Sequence, residues 1–274
     1  MKIMRNIFIC FIVVGLIGSL VMLIGYGFNF NRIWADMVHA EGYTFHYEEF
    51  SDIESITIRA RNGRINVHQH EHSHVRIEYH TREERLQMTV AENNGALSLT
   101  QYVPNRINFG FSFTGTRMYS VNIFAPRDFN GVLDIETRNG MVDINGVNAT
   151  KLAITTNNGM IDVANVVSDE MRFKADNGRI RARNIVAFEL DVETNNGTID
   201  IRGRLYHAQM LTRNGRIDVI VTNANAADYR VEMITRNGRT EFNGNRVSPG
   251  IHGGGPNHIR METRNGRNTI RFTN

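Results

Sequence analysis

The residues best placed to do chemistry are arginines. The motif TRNGR occurs three times late in the chain, giving Arg213/Arg216, Arg236/Arg239 and Arg264/Arg267, and Arg138 holds the corresponding place earlier. Guanidinium groups repeated in this way fit phosphate or carboxylate through a bidentate fork. Their chemistry would be the holding of an anionic partner. The plainer expectation is a solvated face on which Arg216 pairs with Asp218 and Arg239 with Glu241, both two residues on; such exposed pairs contribute little.

A second candidate is the run containing His68, His70, His72 and His74, with His80 nearby. On one extended strand these imidazoles would share a face, and two or three could ligate Zn²⁺, Ni²⁺ or Cu²⁺. The run also falls between two strand-like segments, where the repeat calls for a turn, and a polar turn that happens to be His-rich is the plainer expectation. A third candidate is the recurrence of Asp143, Asp162, Asp200 and Asp218, interrupted by Arg181. Carboxylates clustered on an outer face would suit glycoside chemistry. A catalytic site, however, normally breaks a repeat, and this one keeps it. No nucleophile elbow, phosphate loop or HExxH motif is present, and Gly253–Gly255 reads as a loop between Pro249 and Pro256. The chain therefore reads as non-catalytic, with no cofactor.

What must position these residues is a repeat. Asn-Gly pairs fall at Asn62, Asn94, Asn139, Asn158, Asn177, Asn196, Asn214, Asn237 and Asn265. From Gly140 to Gly215 the period is close to 19, which signals a repeat architecture. Around each pair apolar and polar residues alternate, as in strands with one buried face. Inward positions read Leu133/Ile135, Leu152/Ile154, Met171/Phe173, Leu190/Val192, Ala208/Met210, Val231/Met233 and Ile259/Met261 before the pair. After it they read Val142/Ile144, Ile161/Val163, Ile180/Ala182, Ile199/Ile201 and Ile217/Val219. Asn-Gly accepts positive φ, so it is expected to supply the turn. A hairpin array would also fit. A β-solenoid accounts better for the constant period and predicts an asparagine ladder at the corners. The fold class expected is all-β, a stack of Asn-Gly coils preceded by one transmembrane helix.

That helix is Ile7–Phe28, which carries no charge and at roughly 1.5 Å per residue is long enough for a bilayer core of about 30 Å. Lys2 and Arg5 before it place the N-terminus in the cytoplasm and the rest outside. A cleaved signal peptide, with Val38-His39-Ala40 as its site, is the rival, although the apolar run is long for one. Cys10, the single cysteine, reads as an ordinary apolar residue of this helix and excludes an internal disulfide. The expected organisation is a cytoplasmic tail 1–6, anchor 7–28, juxtamembrane linker 29–49, irregular N-terminal strands and cap 50–130, and regular solenoid 131–274. Asn105–Thr116 reads as a loop carrying Phe109, Phe111 and Phe113, either a membrane or partner contact or part of the cap.

Charge drifts along the chain. Residues 41–100 carry 6 Lys+Arg against 10 Asp+Glu, and residues 205–274 carry 10 against 5. Over residues 41–274 the totals are 28 and 27, which argues against nucleic acid.

The segments YSVNIFAP (Tyr119–Pro126), LDIETRNGMVDI, LAITTNNGMIDV, MRFKADNGRIRA, LDVETNNGTIDI and QMLTRNGRIDV resemble the bacterial putative-adhesin family of β-strand-repeat proteins. The resemblance covers roughly residues 50–274. It implies a β-repeat fold and a place at the cell surface, and it supplies no catalytic residues. Some relatives accompany envelope-stress regulators, so it also implies an alternative role as a regulatory or scaffolding module acting through a membrane protein partner. The partners expected are therefore a cell-envelope polyanion or such a protein, with the His run leaving a metal-binding surface as a further alternative.

Overall fold

The computed structural model describes residues 43–82, 86–102 and 120–273. The helix read at 7–28 and the aromatic loop at 105–116 lie outside them. Among the described residues no helix is long and apolar enough to cross a membrane.

The described chain is almost entirely extended. In order its strands are β1 (Thr44–Phe50), β2 (Ser55–His70), β3 (Val75–Thr81), β4 (Gln87–Asn93), β5 (Ala96–Tyr102), β6 (Val121–Pro126) and β7 (Val132–Asn145). Then come β8 (Ala149–Thr222), β9 (Tyr229–Phe242), β10 (Asn245–Val247), β11 (Gly250–His252) and β12 (Asn257–Thr273). β8 runs for 74 residues without a break. It winds through the corners at Asn158, Asn177, Asn196 and Asn214, each stacked beside the one before.

Stacking is parallel and in register. β2 pairs β7 with Asn62 opposite Asn139, and β7 pairs β8 with Asp143 opposite Asp162. All the inward positions named from the sequence are buried. Alternation dictates this, because successive side chains of a strand point to opposite faces and only one face is dry. Just inside the corner runs a column of buried threonines, Thr137, Thr156, Thr194, Thr212 and Thr263.

The Asn-Gly corner is not the turn the sequence leads one to expect. Of the corner glycines Gly63 is clearly left-handed, at 109°, but none of the stacked asparagines has positive φ. Their side chains instead form a ladder: Asn139 Nδ2 donates to Asn62 Oδ1 (3.1 Å), Asn158 to Asn139 (3.0 Å), and so on through Asn177, Asn196, Asn214 and Asn265 to Asn237. Glycine is required for a different reason. A Cβ on Gly159, Gly178 or Gly197 would lie 1.8 Å from the carbonyl oxygen of the glycine one coil away. Left-handed backbone falls at the next corner, where Asn165 (φ 57°) and Asn184 (φ 52°) build a second ladder with Asn145, each bond 2.7 Å. Asn94-Gly95 closes a hairpin, β4 to β5, with φ of 49° and 76°, and Asn243-Gly244 closes another, β9 to β10, with φ of 48° and 83°, as hairpin twist demands.

Two departures concern order. Stacking is sequential up to Asn214, but β12 then inserts between the last coil of β8 and β9: Ile259 lies opposite both Ala208 and Val231. At the other end β2 belongs to the ladder, although its stretch of sequence looks irregular. β5 pairs its first half and β6 its second. Buried Gln101 caps this end, its Oε1 accepting from the backbone N–H groups of Arg61 and Asn62 at 3.1 and 3.2 Å. β1 occupies part of the segment read as linker and adds antiparallel to β3, which adds to β6.

Candidate anion-binding edge

Because the coils stack in register, equivalent outward residues become columns about 4.8 Å apart per step. Two columns flank the asparagine ladder. Immediately after the corner, Arg267 lies opposite both Arg216 and Arg239. Immediately before it, Thr263 and Asn265 lie opposite Thr212 and Asn214, and opposite Thr235 and Asn237, which sets Arg264 between Arg213 and Arg236. The fold thus gathers Arg213, Arg216, Arg236, Arg239, Arg264 and Arg267 onto three adjacent coils. Their spatial order is 213–264–236, not the order of the sequence.

The two columns differ electrostatically. After the corner, Arg216 Nε lies 2.6 Å from Asp218, Arg267 lies 3.9 Å from the same carboxylate, and Arg239 lies 3.5 Å from Glu241. The expected local pairing therefore forms on this side. Before the corner, Arg213, Arg264 and Arg236 are exposed and have no ion pair among the described residues. Unit charges about 4.8 Å apart repel by roughly 1 kcal/mol even in water. Three stacked without a counter-ion are an arrangement that an anion would relieve.

Repeat spelling does not reveal Arg202 and Arg271. They join Arg267, Asp200, Asp218 and Glu241 around a cavity of about 270 Å³ beside the paired column. The only signal for them is outward parity, which many residues share.

Asp143 stacks on Asp162 as expected, and ion pairs hold two of the four aspartates, Asp162 and Asp218. Arg181 and Arg183 hold the nearly buried Asp162 at 3.5 and 3.1 Å. Arg181 interrupts the column because it is the cation between carboxylates.

The histidines assemble only in part. His70, His72 and His74 come together with ring centroids 5.2–5.6 Å apart where the chain bends from β2 into β3. His68 is set apart, in ring contact only with Phe124. His70 Nε2 donates to the His74 carbonyl (2.7 Å), and the His72 and His74 rings stack at 18° rather than converge. Among the described residues no group of three or more His, Cys, Asp or Glu side chains is placed to hold a metal ion. Of His68, His70, His72 and His74, the structure brings the last three together, and the bend turns their rings onto one another.

The match to a family model is decisive for kinship. Residues 53–232 fit the family described as Toastrack DUF4097. The chain belongs to that family. No curated protein matches this Toastrack chain. Solved structures similar to it include a putative adhesin from Bacteroides fragilis, 13% identical with a TM-score of 0.46, covering 85% of this chain and 97% of that one. A putative cell adhesion protein from Clostridium sporogenes is 13% identical with a TM-score of 0.41, covering 84% and 99%. A putative lipid binding protein from Parabacteroides distasonis is 11% identical with a TM-score of 0.37, covering 84% and 98%.

Proposed function

We propose that this Toastrack protein is a non-catalytic surface scaffold that holds an anionic polymer of the cell envelope along its arginine edge. The reading places Ile7–Phe28 in the membrane and the solenoid outside the cell. One observation carries it: Arg213, Arg264 and Arg236 stack in register, exposed and without an ion pair among the described residues, beside a second arginine column. A polymer bearing phosphate or carboxylate groups at regular intervals meets such a column several times at once, so weak contacts add through high effective concentration.

The test uses the full-length protein in detergent, with polyphosphate and polygalacturonate as phosphate and carboxylate probes. Binding is expected to weaken about tenfold or more between ~50 and ~200 mM salt, as counter-ion release requires. A triple variant, R213Q/R236Q/R264Q, breaks no ion pair and should lose most of the affinity while melting at the same temperature. Salt-independent binding, or equal binding by the variant, would remove the weight from this edge.

A further inference from the structure

The face that precedes the asparagine ladder is stitched together by ion pairs between neighbouring coils. Arg59 reaches Asp134 (2.6 Å), Lys151 reaches Glu170 (3.0 Å), Lys174 reaches Glu193 (3.3 Å), and Arg260 reaches Glu232 (2.6 Å) while also pairing with Glu262 of its own strand (2.8 Å). The Arg260 pairs are firm enough to raise its pKa, through the hydrogen bond to Glu232 first and that to Glu262 second. In the middle of this face the stitching thins to Arg172, which lies 3.5 Å from Glu170 and 3.8 Å from Asp191. Glu189, His207, Gln209 and His258 have no hydrogen bond or ion pair among the described residues. They are also neighbours, since His258 lies opposite His207 and Arg260 opposite Gln209.

That gap is a groove. A cavity of about 290 Å³ is lined by these four side chains, with Arg172, Asp191 and Arg260 at its margins. Its floor is apolar but nearly closed, with Leu190 only 3% and Ala208 6% exposed. On one side stands an aromatic ledge. Phe188 is 53% exposed, with its ring centroid 5.7 Å from Tyr206 and 5.6 Å from His207.

We propose that this groove binds a neutral, β-linked oligosaccharide. The argument is one of chemical fit. Unengaged donors and acceptors of both kinds, interleaved over three coils, suit a ligand whose hydroxyls both donate and accept. Carboxylates and guanidiniums alternate along the margins, so neither a polyanion nor a polycation is favoured. The floor offers too little apolar surface for a lipid chain. An exposed ring beside polar groups is what the C–H face of a pyranose packs against. The coil step of about 4.8 Å is close to one pyranose length, so a chain lying across the coils presents one sugar to each. The site shares no residue with the arginine columns and stands or falls separately from them.

Isothermal titration of the full-length protein with cellotetraose and with chitotetraose tests this. At least one should bind saturably, with Kd below ~1 mM. Affinity should be unchanged between low and moderate salt, and unchanged in R213Q/R236Q/R264Q. F188A, and separately H207A/Q209A, change exposed side chains and should melt like wild type yet bind at least tenfold more weakly. Absence of saturable binding by both sugars overturns the proposal. So does undiminished binding by both variants, or binding that the arginine variant abolishes.

Discussion

Replacing Gly178 by alanine tests whether coil contact, rather than turn conformation, explains the corner glycines. The new Cβ would lie 1.8 Å from the Gly159 carbonyl oxygen and 2.9 Å from its carbon. Both are backbone atoms, so no side chain can rotate away. Reaching even 3.0 Å requires the corner to retreat by about 1.2 Å. The same retreat would stretch the 3.0 Å bond from Asn177 Nδ2 to Asn158 Oδ1 to about 4.2 Å, beyond any hydrogen bond. With the adjacent backbone bonds, two to three are forfeited at roughly 0.5–1.5 kcal/mol each, offset by about 0.4–1 kcal/mol from a stiffer unfolded chain. The expected loss is about 2 kcal/mol, or roughly 4–8 °C in Tm for a domain of this size. Circular dichroism melting of the purified protein measures it, with Gly254→Ala as control. Gly254 has nothing within 4 Å of an added Cβ, and its variant should melt with wild type. Equal melting of Gly178→Ala and Gly254→Ala would refute the reasoning.

Two other outcomes are expected. Asn177→Ala removes two ladder bonds, to Asn158 and from Asn196, whereas Asn237→Ala at the ladder end removes one, to Asn265. At roughly 0.5–1.5 kcal/mol per bond, the urea midpoint should fall about twice as far for the former, and equal falls would count against an additive ladder. Tyr79 donates to Glu48 (2.6 Å), and burial first, then that bond, raises its pKa above the usual value of 10.0. The folded state thus holds this proton more tightly, and its stabilising contribution is complete below about pH 10 and lost as pH rises further. Tyr79→Phe should be modestly less stable at pH 7 but should flatten the alkaline decline of the urea midpoint. An unchanged alkaline slope would exclude Tyr79 as its source.

The core was legible because strand alternation leaves only one choice of face: every inward residue from Leu133 to Met261 follows from parity. The asparagine ladder followed from constant period. Stacking order at the far end did not, because the units around Asn214, Asn237 and Asn265 are spelled alike and any could neighbour any other. What decides is the chain between β9 and β12, which forms β10 and β11 and lies along the outer edge of β9, leaving its inner edge for β12. The second ladder was missed although Asn145, Asn165 and Asn184 recur at nearly the same period, since no glycine accompanies most of them. The arginine columns were visible as a motif. The groove was not, because Glu189, His207 and His258 share a position but no chemistry, and only stacking makes them a set.

The insertion of β12 sets a temporal order. In a plain solenoid each coil docks on its predecessor as it emerges, so the fold can zip along behind synthesis or export. Here β9 emerges before β12 but has no seat until β12 has filled the slot beside β8. Until then the buried faces of β9 at Val231 and Met233, and of β8 at Ala208 and Met210, face either water or each other in the wrong pairing. That mispairing would bring Arg213 beside Arg236 without Arg264 between them. The arginine edge is therefore completed last, by a closing movement that joins both columns at once.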